Sequence, residues 1–270
     1  MTDVQVAIPS YHRAHTLPKK TMPLLHRLGY SDSQVTVFTN ADEVPTYRHS
    51  LQATGMGDVQ VVAAPRGCAA ARNALHAHYP VGIRLMSFDD DVRDISIVKN
   101  RKLVSMSSED WAGIVHLAYD ACQRSGARMW GGYAAVNPFY MSPTITFGLC
   151  FVIGAFYGCI NWGADPRRQL TGLDCGDPKD DFERSILCYL ADGALVRLNW
   201  IGARTAYMKE PGGLQDTRTP EIIRDRCIEL TRMYPGLCHL VTSKKSMPYD
   251  VRLRDTRKRK ESHESRSVVA

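Results

Sequence analysis

The chain has 270 residues, 44% hydrophobic and 23% charged, enough to bury a full core in one large α/β domain, which sets aside an intrinsically disordered protein. Its formal charge of +6 is uneven: from Arg252 to Ala270 seven Lys/Arg face three Asp/Glu, leaving only +2 for the 251 residues before them. Eight scattered cysteines with no CxxC pair, no apolar run of about 18 residues and no signal-like start point to reduced thiols in a cytoplasmic protein without a membrane anchor.

In chain order, Val4 to Ile8 is a short apolar strand ended by Pro9-Ser10, and a helical segment follows from Ala14 to Leu28. Val35 to Phe38 is a second strand with Thr39-Asn40 as its polar exit, followed by a helix over Asp42 to Ala53. Val59 to Val62 is a third strand, Gly67 to Ala77 an Ala-rich helix, and Arg84 to Phe88 a fourth strand that runs into Asp89-Asp90-Asp91. Strands alternating with helices of this length predict a largely parallel sheet covered on both faces. Ligands of such sheets bind at the carboxyl ends of the strands. Here those ends carry Pro9-Ser10-Tyr11-His12-Arg13, Thr39-Asn40, Pro65-Arg66-Gly67 and the three aspartates, a polar rim suited to a nucleotide.

The second half changes character. A helix over Ser108 to Ser125 leads to an aromatic and glycine-rich stretch and then to strands within Thr146 to Trp162. Pro178 to Ala191 is a helix with acidic residues in its first turn, Val196 to Ile201 a strand, and Pro220 to Tyr234 a helix. No repeat and no linker precedes residue 252. The expected organisation is a single domain over residues 1–251, with a nucleotide-sugar half (1–105) and an acceptor half (106–251), followed by a basic flexible tail over 252–270. That tail reads either as a solvated end or as an arm for a polyanion such as DNA.

Three consecutive carboxylates after a buried strand destabilise one another unless something positive sits among them. A Mg²⁺ or Mn²⁺ ion resolves this and bridges the protein to the phosphates of a nucleotide sugar; a solvated acidic loop is the alternative. Arg66, Arg72 and Asn73, one helix upstream, belong near the phosphate side, although Arg72 also fits a plain helix surface. Tyr11 and Arg13 offer an aromatic face and a guanidinium for a base and its phosphates. Gly212-Gly213 permits close backbone approach to a ligand or forms a turn.

The order Pro-Ser-Tyr-x-Arg, Arg-Gly-x5-Asn, Phe-Asp-Asp-Asp and a later acidic pair before a helix resembles the GT-A glycosyltransferases. Trp130-Gly-Gly-Tyr133, Asn137-Pro-Phe-Tyr-Met141, Phe151 to Asn161 and Lys209-Glu-Pro-Gly-Gly-Leu214 are similar to the phage-type group allied to the base-J glucosyltransferase, the TET/JBP-associated glycosyltransferases. The resemblance implies a GT-A-like, Rossmann-type α/β fold with a mostly parallel sheet, helices on both faces and a smaller mixed sheet on the acceptor side. It implies a hexose, glucose foremost, moved from a UDP-sugar to the hydroxymethyl group of a modified pyrimidine in DNA, in an infected bacterial cell if phage-encoded.

By the same resemblance, Asp89 and Asp91 take the DxD role, with Asp91 the direct metal ligand and Asp89 closer to the ribose, while Asp90 is less defined. Asp181, or Asp180 beside it, takes the place of the catalytic base, although helix-start aspartates are also common caps. His239 is the candidate third metal ligand; a buried core histidine is its plain alternative. Trp130, Tyr133, Phe139 and Tyr140 are candidates to stack on a displaced base, at least half of them being expected in the core. A GT-A enzyme for a glycan or small-molecule acceptor, a nucleotidyl transferase and a non-catalytic DNA-binding scaffold are the rival readings.

Overall fold

The computed structural model describes residues 3–172, 178–205, 212–213, 218–242 and 248–257. In the first half the apolar runs become β1 (Val4–Pro9), β2 (Val35–Thr39), β3 (Gln60–Ala63) and β4 (Arg84–Phe88), separated by α1 (Thr21–Arg27), α2 (Val44–Ala53) and α3 (Cys68–His78). These four strands lie side by side in the order β3-β2-β1-β4, all parallel. Alternate residues feed two cores. Val6, Ile8, Val35, Val37, Met86 and Phe88 face one, and Ala7, Phe38 and Leu85 face the other, as the period of two in a strand requires.

The second half supplies β5 (Val92–Lys99), β6 (Lys102–Ser105), α4 (Ser108–Ser125), β7 (Met129–Gly132), β8 (Ile145–Gly148), β9 (Phe156–Ile160), α5 (Asp180–Asp192), β10 (Leu195–Leu198), β11 (Ile201–Thr205), α6 (Pro220–Met233), β12 (Cys238–Thr242) and β13 (Tyr249–Leu253). β9, β7, β10 and β8 extend the first sheet to eight strands, β9 running antiparallel to β4. Against its face α4 presents Trp111 to Trp130, Phe88 and Phe156, an aromatic cluster with ring centroids 6.1–6.3 Å apart. β11, β5 and β6 form a separate, smaller antiparallel sheet, and β12 pairs with β13.

Several elements depart from the sequence expectation for local reasons. The helix over Ala14 to Leu28 is broken: Leu17–Lys19 is a single 3₁₀ turn with Pro18 in its middle, and α1 starts only at Thr21. The strand expected over Val196 to Ile201 is two strands in different sheets, because the chain turns at Asn199-Trp200. The β5–β6 hairpin turns on Asn100 and Arg101, whose φ values of 51° and 60° suit a two-residue turn without any glycine, so the usual sequence mark is missing. β13 runs to Leu253, across the boundary expected at residue 252, while Lys258–Ala270 of the expected tail lie outside the described residues. Among the described residues no helix is long and apolar enough to cross a membrane.

Candidate active site

The carboxyl ends of β1, β2, β3 and β4 meet at one edge, as parallel pairing demands, and α5 brings its first turn to the same place. Arg72, on α3, is the link. Its Nη2 lies 2.8 Å from Asp89 Oδ1 at the exit of β4, and its Nε lies 2.8 Å from Asp180 Oδ2 at the start of α5. Burial alone would lower the Arg72 pKa, but Asp89 and Asp180 outweigh it and hold the guanidinium charged well above its ordinary range. Arg72 is therefore a buried bridge and not a helix-surface residue.

The two aspartates of α5 are neighbours in different surroundings. Asp180 is buried, and although burial would raise its pKa, Arg72 and then Arg184, 3.9 Å away, hold it below the ordinary carboxylate range. Asp181 is pushed up to about 6, first by burial and then by the charge of Asp180. Its Oδ2 accepts from the Gly154 N–H at 3.4 Å. Gly154 is small for a reason: a methyl there would come within 3.2 Å of Arg72 Nη2 and 3.6 Å of both Arg184 Nη2 and Asp181 Cβ. Of the two candidates, Asp180 is committed to two arginines, and Asp181 has the raised pKa of a group able to accept a proton near neutral pH.

The acidic triplet divides three ways. Asp89 is the open member, its side chain 34% exposed. Asp90 is a buried brace that accepts from Ser10 Oγ at 2.5 Å and from Arg13 Nη1 at 2.8 Å, and burial first of all raises its pKa to about 6. Asp91 is buried beside Arg13 at 3.2 Å, its pKa raised by burial and by Asp89. The electrostatic case for a metal changes accordingly, since Arg13 and Arg72 already supply the positive charge that three adjacent carboxylates require. A Mg²⁺ or Mn²⁺ ion still fits, because such ions are held by one or two carboxylates together with substrate phosphates and water, and Asp89 and Asp91 provide that number.

Arg13 and Ser10, expected at the nucleotide, also brace the triplet: Arg13 further donates to Gly212 O at 3.3 Å, and Ser10 Oγ lies 2.6 Å from Tyr47 Oη. Gly212 and Gly213 do allow a close approach, but to the protein itself. A methyl on Gly212 would stand 2.5 Å from His12 O, and Gly213 N donates to Tyr11 O. Of the glycine motif, Lys209 to Pro211 and Leu214 lie outside the described residues.

Pro9 ends β1 opposite Phe38, and Asn40 stands half-buried where β2 exits. Arg66 is exposed and donates from Nη2 to Tyr11 Oη at 2.9 Å, its guanidinium 5.8 Å above the ring, so these two form an open cationic and aromatic wall. Asn73 faces elsewhere: its amide holds Leu170 by two 3.0 Å hydrogen bonds. His239 belongs to the β12–β13 hairpin, its Nε2 2.9 Å from Arg254 O, and among the described residues no three His, Cys, Asp or Glu side chains gather as a metal cage. Trp130 is fully buried and is core; Tyr133 is half-buried under Arg197, while Phe139 and Tyr140 are 84% and 60% exposed.

Sequence reasoning missed Arg184, Gly154 and His76. The first had a signal, standing four residues after Asp180 on one helix face. His76 is buried between Asn161 Oδ1 and Tyr157 Oη, 3.0 Å from each, and stacks on Trp162.

No protein-family model matches the sequence, and neither does any curated protein. The fold, in contrast, is similar to solved structures. Residues 1–349 of S. aureus TarS in complex with UDP-GlcNAc align with a TM-score of 0.56 at 12% identity, covering 85% of this chain and 66% of that one. TarS 1-349 without that ligand gives 0.50 at 10% identity, over 85% and 65%. The chain thus spans a little under two thirds of the length of these neighbours. At such identity the likeness speaks for architecture alone: an α/β fold with a large, mostly parallel sheet, shared with these neighbours.

Proposed function

We propose that this chain is a glycosyltransferase that moves a hexosyl group from a UDP-sugar to the hydroxymethyl group of 5-hydroxymethylcytosine or 5-hydroxymethyluracil in DNA. The observation that carries transfer is the Arg72 bridge, which joins a carboxylate at the exit of β4 to the acidic pair at the start of α5. Support for the donor is the GT-A architecture, shared with a protein solved with UDP-GlcNAc. Support for the DNA acceptor is the sequence resemblance together with the exposed rings of Phe139 and Tyr140 on the acceptor half.

In this reading the uridine lies against Tyr11 and Arg66, with the diphosphate toward Asp89. A Mn²⁺ or Mg²⁺ ion held by Asp89 and Asp91 would neutralise charge on the departing diphosphate. Asp181 takes the proton of the acceptor hydroxyl as its oxygen bonds to the anomeric carbon, and the bond from that carbon to the diphosphate breaks. A single displacement of this kind inverts the anomeric centre.

The test is to incubate the protein with Mn²⁺, labelled UDP-sugars and DNA with or without 5-hydroxymethylcytosine, and to follow mass added to the nucleosides. Transfer that depends on the hydroxymethyl group and is lost in Asp181→Asn is the expected result. Hydrolysis of UDP-sugar without transfer to any hydroxymethylated DNA sinks the acceptor, and full activity of Asp181→Asn sinks the base.

A further inference from the structure

The segment joining β8 to β9 carries a row of planar side chains up to Asp181. Arg197 stands on the face of β10 that α5 covers, because Leu195, two residues earlier, packs on that face and side chains alternate along a strand. Gly131 lies opposite Arg197 in the ladder, and it has to be glycine: a methyl there would come within 2.3 Å of Val152 Cγ1. Val152 can therefore lie against the sheet. Its N–H donates to Ser185 Oγ at 3.1 Å, and two residues on, the Gly154 N–H reaches Asp181. The buried Cys150, Val152 and Gly154 alternate with Phe151 and Ile153, which are left half-buried.

The Phe151 ring stacks on Phe182, with centroids 4.0 Å and planes 20° apart, and Phe182 is the residue after Asp181. Phe182 packs against the core under α5, with Lys179 Nζ 5.1 Å from its ring centre, whereas Phe151 belongs to neither core. Arg197 ties this stack to the rest of the acceptor half. Its Nη1 donates to Phe151 O at 3.2 Å and its Nε to Asn199 Oδ1 at 2.9 Å, while its guanidinium lies 5.1 Å from the centre of the half-buried Tyr133 ring. Both acceptors are neutral, and among the described residues no carboxylate pairs with Arg197. Lys179, the other cation beside the stack, is engaged by Asp250 at 2.6 Å.

We propose that Phe151, backed by Phe182, and Arg197 form a subsite for one nucleotide of the acceptor strand. The base stacks on the Phe151 ring, and the phosphate joined to it pairs with Arg197. A stacking ring beside a cation is the combination that holds single strands, and the forked donors of a guanidinium suit phosphate oxygens. The proposal rests on the reading of the chain as a DNA-acting transferase, but its test separates the two.

The full chain is titrated, by fluorescence anisotropy over a series of salt concentrations, into a labelled single-stranded oligonucleotide containing 5-hydroxymethylcytosine, an abasic strand of equal length and a labelled neutral glucan. One phosphate contact to a single strand contributes about 0.7 to the slope of log affinity against log salt, and one stacked base is worth roughly 5- to 160-fold in affinity. Arg197→Gln loses that slope and Arg197→Lys keeps it. Phe151→Leu, which still covers Phe182 but offers no ring, loses that affinity for the base-bearing strand and not for the abasic one, and Phe151→Tyr keeps it; thermal melting checks that each variant is folded. If the folded Arg197→Gln and Phe151→Leu proteins bind as wild type does, or if wild type binds neither strand, the subsite is overturned. Phe151-dependent binding of the glucan in place of the strands overturns its assignment to a nucleotide. Binding of the strands that depends on Phe151 and Arg197, without any glycosyl transfer, upholds the subsite and sinks the proposed acceptor chemistry.

Discussion

Acid should switch off transfer with a midpoint near 6, and replacing Asp180 should move that midpoint. With the Asp181 pKa near 6, about nine in ten of these carboxylates are ionised at pH 7 and about one in ten at pH 5, so kcat/KM should fall roughly tenfold between them. The loss is not unfolding driven by this group: its folded pKa is raised, so its contribution to stability is fully present below the ordinary aspartate value and lost as pH rises through 6. Asp180→Asn removes the second cause of the shift and leaves the first, burial. The acid limb should move down. The substitution also leaves Arg72 and Arg184 without a shared buried anion, a change that costs about 3–5 kcal/mol and roughly 6–20 °C of Tm. Assays therefore belong near 20 °C, with circular dichroism at each pH. An acid limb that Asp180→Asn leaves in place, or one that persists in residual activity of Asp181→Asn, would refute this division of labour.

Chelation should abolish transfer, and Asp89→Asn should weaken Mn²⁺ binding measured by calorimetry in the presence of UDP. Gly158→Ala forces a methyl to 2.2 Å from Trp130 Nε1 and 2.7 Å from Met86 Sδ, so Tm should drop by about 2–12 °C for an overpacking cost of ~1–3 kcal/mol. Glu183→Ala removes the 2.7 Å partner of the buried Arg226, which keeps Glu229 at 2.8 Å, and takes the acceptor from the Tyr234 and Thr171 hydroxyls, so Tm should fall on melting. His76 is held near 3 by burial, so its share of stability is present above the ordinary histidine value and lost as pH falls toward 3. Replacing it by Gln should narrow the difference between Tm at pH 7.5 and at pH 4.5.

The strands β1 to β4 were legible because each is a short apolar run closed by polar residues, and their parallel pairing then placed Tyr11, Arg66 and Asp89 at one edge. The hairpin β5–β6 was not, since Arg93 and Asp94 interrupt its apolar alternation and Asn100-Arg101 lacks the turn glycine. Asp180 and Asp181 look alike in the sequence, and only the side chains around them, drawn from α3 and α5, set them apart. Arg13 read as a phosphate ligand because its partners lie 77 and 78 residues away, a pairing that local pattern cannot carry. For the same reason the triplet called for a metal by charge alone, when two arginines from distant helices and loops were already its counterions.

One guanidinium holds both sides of the candidate groove. The spacing between Asp89 and the acidic pair of α5 is thus set by the width of a rigid, planar group, not by loops that could drift apart. A shift of α3 carries both ends with it, so the groove translates without changing its gauge, and an incoming diphosphate that drew Arg72 away from Asp89 would be felt at Asp180 in the same movement.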